Sequence, residues 1–193
     1  MISAVLKFFS LCVLFALIIV FFSQKANAEE IYFDNTKYIL KYSALNPDFK
    51  GYFNEYYQQN ENRGNWTKML GIYHYPEENF PIKFAKKFDK IVESSENALL
   101  IKLMENKKQE KAVISFLVNN NENNKNCFEY NIYKYEKHPQ KGSVLLKYAA
   151  KYFCNSDNDI TRTGNKIREQ NDNFMGQLII SPMPAVVEKN IGN

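Results

Sequence analysis

The residues most able to carry acid–base or metal chemistry are the two histidines, His74 and His138. His74 opens the segment His-Tyr-Pro-Glu-Glu, in which Glu77 and Glu78 could join it as ligands of a metal ion. However, Pro76 interrupts the predicted strand there, and the spacing matches no CxxC, HxH or HExxH pattern. We therefore interpret His74 as a strand-end histidine with a local hydrogen bond and His138 as part of a solvated turn. We expect no metal and no cofactor.

Nucleophilic catalysis has no recognisable motif in this chain. The serine hydrolase patterns GxSxG and SxxK are absent, as are the GxGxxG and GxxxxGK[ST] loops that hold nucleotide phosphates. Carboxylates are plentiful, but no pair of them stands out from ordinary exposed charge. The sequence therefore favours a non-catalytic protein. An exported hydrolase with an unrecognised site is the alternative, and His74 is the first residue to test for it.

Cys127 and Cys154 flank the last predicted hairpin. If its turn is centred near residue 140, antiparallel pairing places Cys127 opposite Phe153, next to Cys154. A disulfide between the two cysteines would close a loop of roughly 27 residues and contribute about 3 kcal/mol in the chain-entropy model. An exported compartment permits such a bond. Two buried free thiols are the alternative, and neither arrangement is catalytic.

Aromatic residues make up 15% of the chain and are concentrated in the segments 52–75 and 128–153. Strand alternation puts Phe128, Tyr130 and Ile132 on one face, and Tyr133 and Tyr135 on the other. One interpretation is that these tyrosines brace the sheet by cross-strand pairing. The other is that Tyr133, Tyr135 and Trp66 form an interaction surface, because aromatic residues are favoured at interfaces.

The first 28 residues have the features of a secretory signal peptide. Lys7 precedes an apolar run over 8–22, and Ala26-Asn27-Ala28 supplies small residues before a cut at Glu29. An uncleaved anchor over 8–22 is the alternative, although the run is shorter than the ~17–25 residues of a membrane span. Removing 28 of the 193 residues leaves 165, and the net charge falls from +4 to +2. A charge so close to neutral gives no electrostatic case for a nucleic-acid partner, and we expect none.

The rest of the chain, 29–193, is expected to form one domain with a short extended C-terminal tail. Helical periodicity, with Phe84 and Phe88 four residues apart, predicts a helix over 80–94. A second helix is predicted from an Asp157 N-cap to Leu178. Apolar and aromatic alternation predicts the strands, with 51–59 ambiguous between strand and helix. These strands are 31–33, 37–42, 66–75, 98–104, 111–118, 128–135 and 144–153.

This order of elements predicts an α+β fold, a mainly antiparallel sheet of about six to seven strands with two main helices packed on it. In its order of elements the chain resembles small exported domains of the PsbP-like and DcrB-like kind. That order is a signal peptide, an early strand pair, a strand beginning Trp66-Thr67, a helix, a strand meander and a closing helix. The resemblance lies in element order over most of 30–180 and implies a non-catalytic accessory or binding role. The chain departs from bacterial members by lacking a lipid-anchoring cysteine.

Together these features predict an exported bacterial protein, periplasmic or secreted, that acts as a binding or accessory module. Its expected partner is an envelope protein or a small ligand. A membrane contact is expected only if the N-terminal segment stays uncleaved, in which case the chain would be an anchored component of an envelope assembly.

Overall fold

The computed structural model describes residues 29–120 and 127–192 of the chain. Within this part, eight strands form one antiparallel sheet that curls into a half-barrel. The strands are β1 (Glu30–Phe33), β2 (Thr36–Asn46), β3 (Gly51–Tyr57), β4 (Lys68–Tyr75), β5 (Ala98–Asn106), β6 (Lys111–Asn120), β7 (Cys127–Lys137) and β8 (Ser143–Phe153). Two helices accompany them, α1 (Pro81–Glu93) and α2 (Asp157–Ile180). The predicted signal peptide, 1–28, lies outside the described residues, among which neither helix is long and apolar enough to cross a membrane.

The sheet joins two four-stranded meanders, in the order β1-β2-β3-β4-β8-β7-β6-β5. Tight turns make the hairpins, and the first uses Asp34 and Asn35 with φ of 48° and 54°. Those positive values are what a type I′ turn between twisted strands requires. The two meanders meet where β4 pairs with β8, from Lys68 opposite Ala150 to Tyr75 opposite Ser143. This long-range pairing brings the aromatic residues of β4 next to those of the last hairpin.

The predicted α+β class, with a mainly antiparallel sheet and two helices, is confirmed, but the sheet has eight strands rather than six or seven. The ambiguous segment near 51–59 is strand β3, because its aromatic residues pair with β2 and β4 on both sides. The N-cap of α2 is Ser156 and not Asp157. The Ser156 hydroxyl accepts a hydrogen bond from the Asp159 amide at 3.2 Å, which satisfies one of the free N–H groups of the first turn.

The two helices cover opposite faces of the sheet. Helix α2 and the C-terminal tail cover the main core, in which the ring centroids of Tyr130 and Phe174 are 6.3 Å apart. Helix α1 packs on β5, β6 and β7, and its Phe88 contacts Phe116 on β6, with ring centroids 5.5 Å apart. Because α1 covers only this end of its face, the face continues past the helix onto β8, β4 and β3. That transition between covered and uncovered sheet is where the candidate site lies.

The tail after α2 is fixed to the sheet by hydrogen bonds. Ser43 on β2 exchanges two backbone hydrogen bonds with Ile191, at 3.0 and 2.8 Å. The fully buried side chain of Asn54 on β3 bonds both backbone polar groups of Val187. The tail therefore closes the side of the sheet that α2 leaves open.

Candidate functional site

An open cleft of about 220 Å³ lies where α1 stops covering the sheet. We call it the tyrosine–lysine cleft. It is lined by Tyr73 and Tyr75 of β4, Phe84 and Phe88 of α1, Tyr133 and Tyr135 of β7, and Leu145 and Lys147 of β8. Six of these eight residues are aromatic, and Lys147 is the charged one.

Strand register explains why these side chains meet. Leu145 on β8 is opposite Tyr73 on one side and opposite Tyr135 on the other. Two residues further along β8, Lys147 is opposite Tyr133. Because alternate residues of a strand share a face, β4, β7 and β8 present all of these side chains on the α1 side.

Helix α1 supplies the wall of the cleft through two phenylalanines one turn apart. The Phe84 ring contacts Tyr75 and Tyr135 edge-on, with centroids 4.8 and 5.2 Å apart. The Phe88 ring lies 5.1 Å from Tyr133. Edge-to-face contacts at these distances are favourable beyond the area they bury. The rings therefore hold one another in place and define a fixed cleft.

Gly71 leaves space for the floor of the cleft. A Cβ atom at this position would lie 2.5 Å from Cε2 of Tyr73, which is too close for two carbon atoms. The missing side chain thus allows the Tyr73 ring to lie back over its own strand. Gly71 is opposite Glu55 on β3 and Lys147 on β8, so the ring lies between a carboxylate and an ammonium group.

The four tyrosine hydroxyls of the cleft are neutral hydrogen-bond donors. Burial raises the pKa of Tyr75 to about 12, and the neighbouring Tyr133 adds to the effect. Burial also raises the pKa of Tyr73, Tyr133 and Tyr135. In the part of the chain that the structure describes, none of the four hydroxyls is hydrogen-bonded to another residue. Tyr73, Tyr75 and Tyr133 are partly exposed in the cleft, whereas Tyr135 is buried beneath Phe84.

The charged groups beside the cleft differ in how well they are paired. Glu55 accepts a hydrogen bond from the Tyr57 hydroxyl at 2.7 Å and contacts Nε of Arg63 at 2.9 Å. Lys147, by contrast, is 3.5 Å from its partner Glu129. Charge-assisted hydrogen bonds are usually 2.7–2.9 Å long. The ammonium of Lys147 is therefore less tightly paired than Glu55, and it also lies 5.7 Å from the centroid of the Tyr133 ring.

The structure does not bring Tyr133, Tyr135 and Trp66 into one exposed surface. Tyr135 is 1% exposed beneath Phe84, and Tyr133 is half-buried in the cleft. Trp66 packs on a separate small cluster and lies under the ammonium of Lys151, 4.4 Å from the ring centroid. Two of the three residues thus belong to the candidate site, as lining rather than as an outer surface.

Sequence reasoning missed the contribution of Phe84, Phe88 and Lys147 to this site. The periodicity of α1 gave the two phenylalanines as a buried stripe. The two phenylalanines contact tyrosines of β4 and β7, and these tyrosines come together only because β4 pairs with β8. The sequence carries no local signal for that pairing. The alternation that puts Tyr73 and Tyr75 on one face of β4 was the signal that could have identified part of the cleft.

The two histidines lie at one end of the sheet, away from the cleft lining. Nε2 of His74 donates a hydrogen bond to the carbonyl oxygen of Lys141 at 2.9 Å, and its ring stacks on His138 with centroids 4.0 Å apart. Burial and the nearby His74 lower the pKa of His138. Glu77 and Glu78 form ion pairs with lysines instead. Across 29–120 and 127–192, no three His, Cys, Asp or Glu side chains come together as a metal site.

The register of the last hairpin is as predicted, with Cys127 opposite Phe153. Cys154, the next residue, is a buried free thiol. The side chain of Cys127 lies outside what the structure describes. The disulfide between Cys127 and Cys154 therefore stays a prediction.

A model of an uncharacterised protein family matches residues 26–183, which is most of the chain. Searches of curated proteins and of solved structures found no match. The resemblance to PsbP-like and DcrB-like domains rests on element order and stays a prediction.

Proposed function

The chain belongs to the uncharacterised family whose model matches it, and we propose that it is an exported, non-catalytic module that binds a small ligand in the tyrosine–lysine cleft. The observation that carries the proposal is the set of four phenol hydroxyls without a protein partner beside the loosely paired Lys147. An apolar cleft with a few convergent polar groups is the usual form of a small-molecule site.

Binding fits this site better than catalysis. A tyrosine can act as a base or nucleophile when its proton leaves readily, but burial raises the pKa of all four cleft tyrosines. A general base should instead have a pKa near the working pH. His74, the residue singled out for a hydrolase, uses Nε2 in a hydrogen bond to a backbone carbonyl. The cleft thus offers donors and apolar walls without a group suited to proton transfer.

The cleft is suited to holding a ligand without rearrangement. Its rings are fixed by contacts with one another and with α1, so little side-chain freedom remains to be lost on binding. Preorganisation of this kind improves affinity because association then costs less entropy. The hydroxyls meanwhile supply directional contacts that select a ligand by its acceptor groups.

An NMR titration with two small aromatic probes, benzamide and benzoate, tests the proposal. We expect amide and tyrosine-ring signals of β4, β7, β8 and α1 to shift on addition of the probes. The double variant Tyr75→Phe/Tyr133→Phe keeps both rings and removes two donors, so the better-bound probe should bind roughly fivefold more weakly per lost hydrogen bond. Tyr32→Phe, at a tyrosine that is 70% exposed on β1, is the matched control. If neither probe shifts signals around the cleft, the proposal is wrong.

A further inference from the structure

We infer that the ligand of the tyrosine–lysine cleft is a small organic anion, with a flat apolar body and one carboxylate. The inference rests on the proposed function and adds the charge and shape of the ligand. Its basis is the composition of the described lining, in which Lys147 is the single charged residue and no carboxylate is present.

The hydrogen-bonding groups of the cleft all favour an acceptor. The hydroxyls of Tyr73, Tyr75, Tyr133 and Tyr135 keep their protons, as their raised pKa values indicate. Each is then free to donate one hydrogen bond. A carboxylate accepts several such bonds, and hydrogen bonds to an ionised acceptor are shorter and stronger than those to a neutral one. A cleft lined by such donors therefore favours an oxyanion.

Lys147 adds the positive charge that such a ligand needs. Its side chain is 17% exposed and its neighbour Glu129 is 18% exposed, so the pair is shielded from most of the solvent. Glu129 uses one of the three N–H donors of the ammonium at a long distance of 3.5 Å, so the ammonium can also donate to a second anionic partner. Glu129 lies outside the lining of the cleft, so it competes with a bound carboxylate for Lys147 without occupying the ligand's space.

The walls of the cleft set the shape of the ligand body. Phe84, Phe88 and Leu145 provide apolar surface, and the aromatic rings favour a flat partner that can stack or meet them edge-on. A volume of about 220 Å³ corresponds to roughly seven water molecules at ~30 Å³ each. This is room for a single six-membered ring with one small substituent. A cationic head group in the same place would meet the like charge of Lys147.

The test compares three probes of nearly equal shape, benzoate, benzamide and benzylamine, by NMR titration and calorimetry. We expect benzoate to bind about tenfold or more tightly than benzamide, and benzylamine to bind most weakly. Lys147→Gln should remove the preference for benzoate over benzamide. Glu129→Gln should strengthen benzoate binding, because it frees the ammonium. Lys108→Gln, in the exposed turn after β5, changes the net charge as Lys147→Gln does and should leave binding unchanged.

The possible outcomes separate the inference from the proposed function. If the three probes bind the cleft equally well, or if benzylamine binds most tightly, the ligand is not an anion although the cleft is a binding site. Weaker benzoate binding in Glu129→Gln would also overturn the inference. If no probe shifts the cleft signals, the proposed function fails, and the inference fails with it. Thermal unfolding of each variant shows whether the loss of binding reflects a loss of fold.

Discussion

Asn54 is the residue whose replacement should separate the C-terminal tail from the sheet. Its side-chain amide donates to the Val187 carbonyl at 2.9 Å and to the Ser43 hydroxyl at 2.8 Å, and its carbonyl oxygen accepts from the Val187 amide at 2.7 Å. Asn54 is fully buried. Asn54→Ala removes all three hydrogen bonds and leaves the Val187 amide without its buried partner.

The expected loss follows from these three contacts. A buried hydrogen bond contributes about 1 kcal/mol net, so the free energy of unfolding should fall by about 3 kcal/mol. At ~2–4 °C per kcal/mol for a domain of this size, Tm should fall by about 6–12 °C. Asn54→Asp keeps the acceptor for the Val187 amide but loses both donors, and it also buries a carboxylate. It should therefore also be destabilised.

Urea unfolding and hydrogen exchange measure the two parts of this prediction. The amides of Val187 and Ile191 should exchange faster in Asn54→Ala, because the tail opens before the sheet unfolds. Asn60→Ala, in an exposed loop, should stay within ~0.5 kcal/mol of the original protein. If Asn54→Ala also stays within this range and the Val187 amide stays protected, Asn54 does not hold the tail.

Three further predictions concern pH, backbone geometry and the cysteines. Burial raises the pKa of Tyr75 to about 12, so the tyrosine of the unfolded chain loses its proton at a lower pH than that of the folded protein. The free energy of unfolding should therefore fall by about 2–3 kcal/mol from this residue alone between pH 10 and 12. Urea midpoints that do not fall over this range would contradict the raised pKa of Tyr75. Gly142→Ala places a Cβ atom 2.2 Å from the Tyr75 carbonyl oxygen at a φ of +80°, and thermal unfolding should show a loss above ~1 kcal/mol. Cys154 directly follows Phe153, the register partner of Cys127, so the predicted disulfide should appear as one linked cysteine peptide in a non-reduced digest. Two separate cysteine peptides would show that both thiols are free.

The fold could be predicted where the signal was local. Phe84 and Phe88 mark one face of α1, and the turn near residue 140 fixes the hairpin register that places Cys127 opposite Phe153. The ambiguous segment that forms β3 was harder, because its polar residues suit a helix as well as a strand. Glu55 is satisfied there by Arg63, a contact that no local pattern indicates.

The candidate site could be predicted only in part, because it depends on contacts between distant segments. Tyr133 and Tyr135 were correctly placed on one strand face, but which helix covers that face is not encoded in the alternation. Tyr135 is covered by α1, so it is buried rather than available on an outer surface. The neighbours that complete the cleft, such as Tyr73, reach it through the pairing of β4 with β8.

The two faces of the sheet differ in a way that supports ligand binding on the α1 side. On the α2 side, polar groups are enclosed: the buried Lys134 donates to the Ser181 carbonyl at 2.6 Å and contacts Glu136, and the Tyr148 hydroxyl is buried without a described partner. A buried polar group without a partner costs stability and cannot contact a ligand. On the α1 side, comparable phenols line an open cleft instead. Tyr73 and Tyr75 of β4 are only partly buried there, and this difference between the two faces is the reason that we place the proposed ligand on the α1 side.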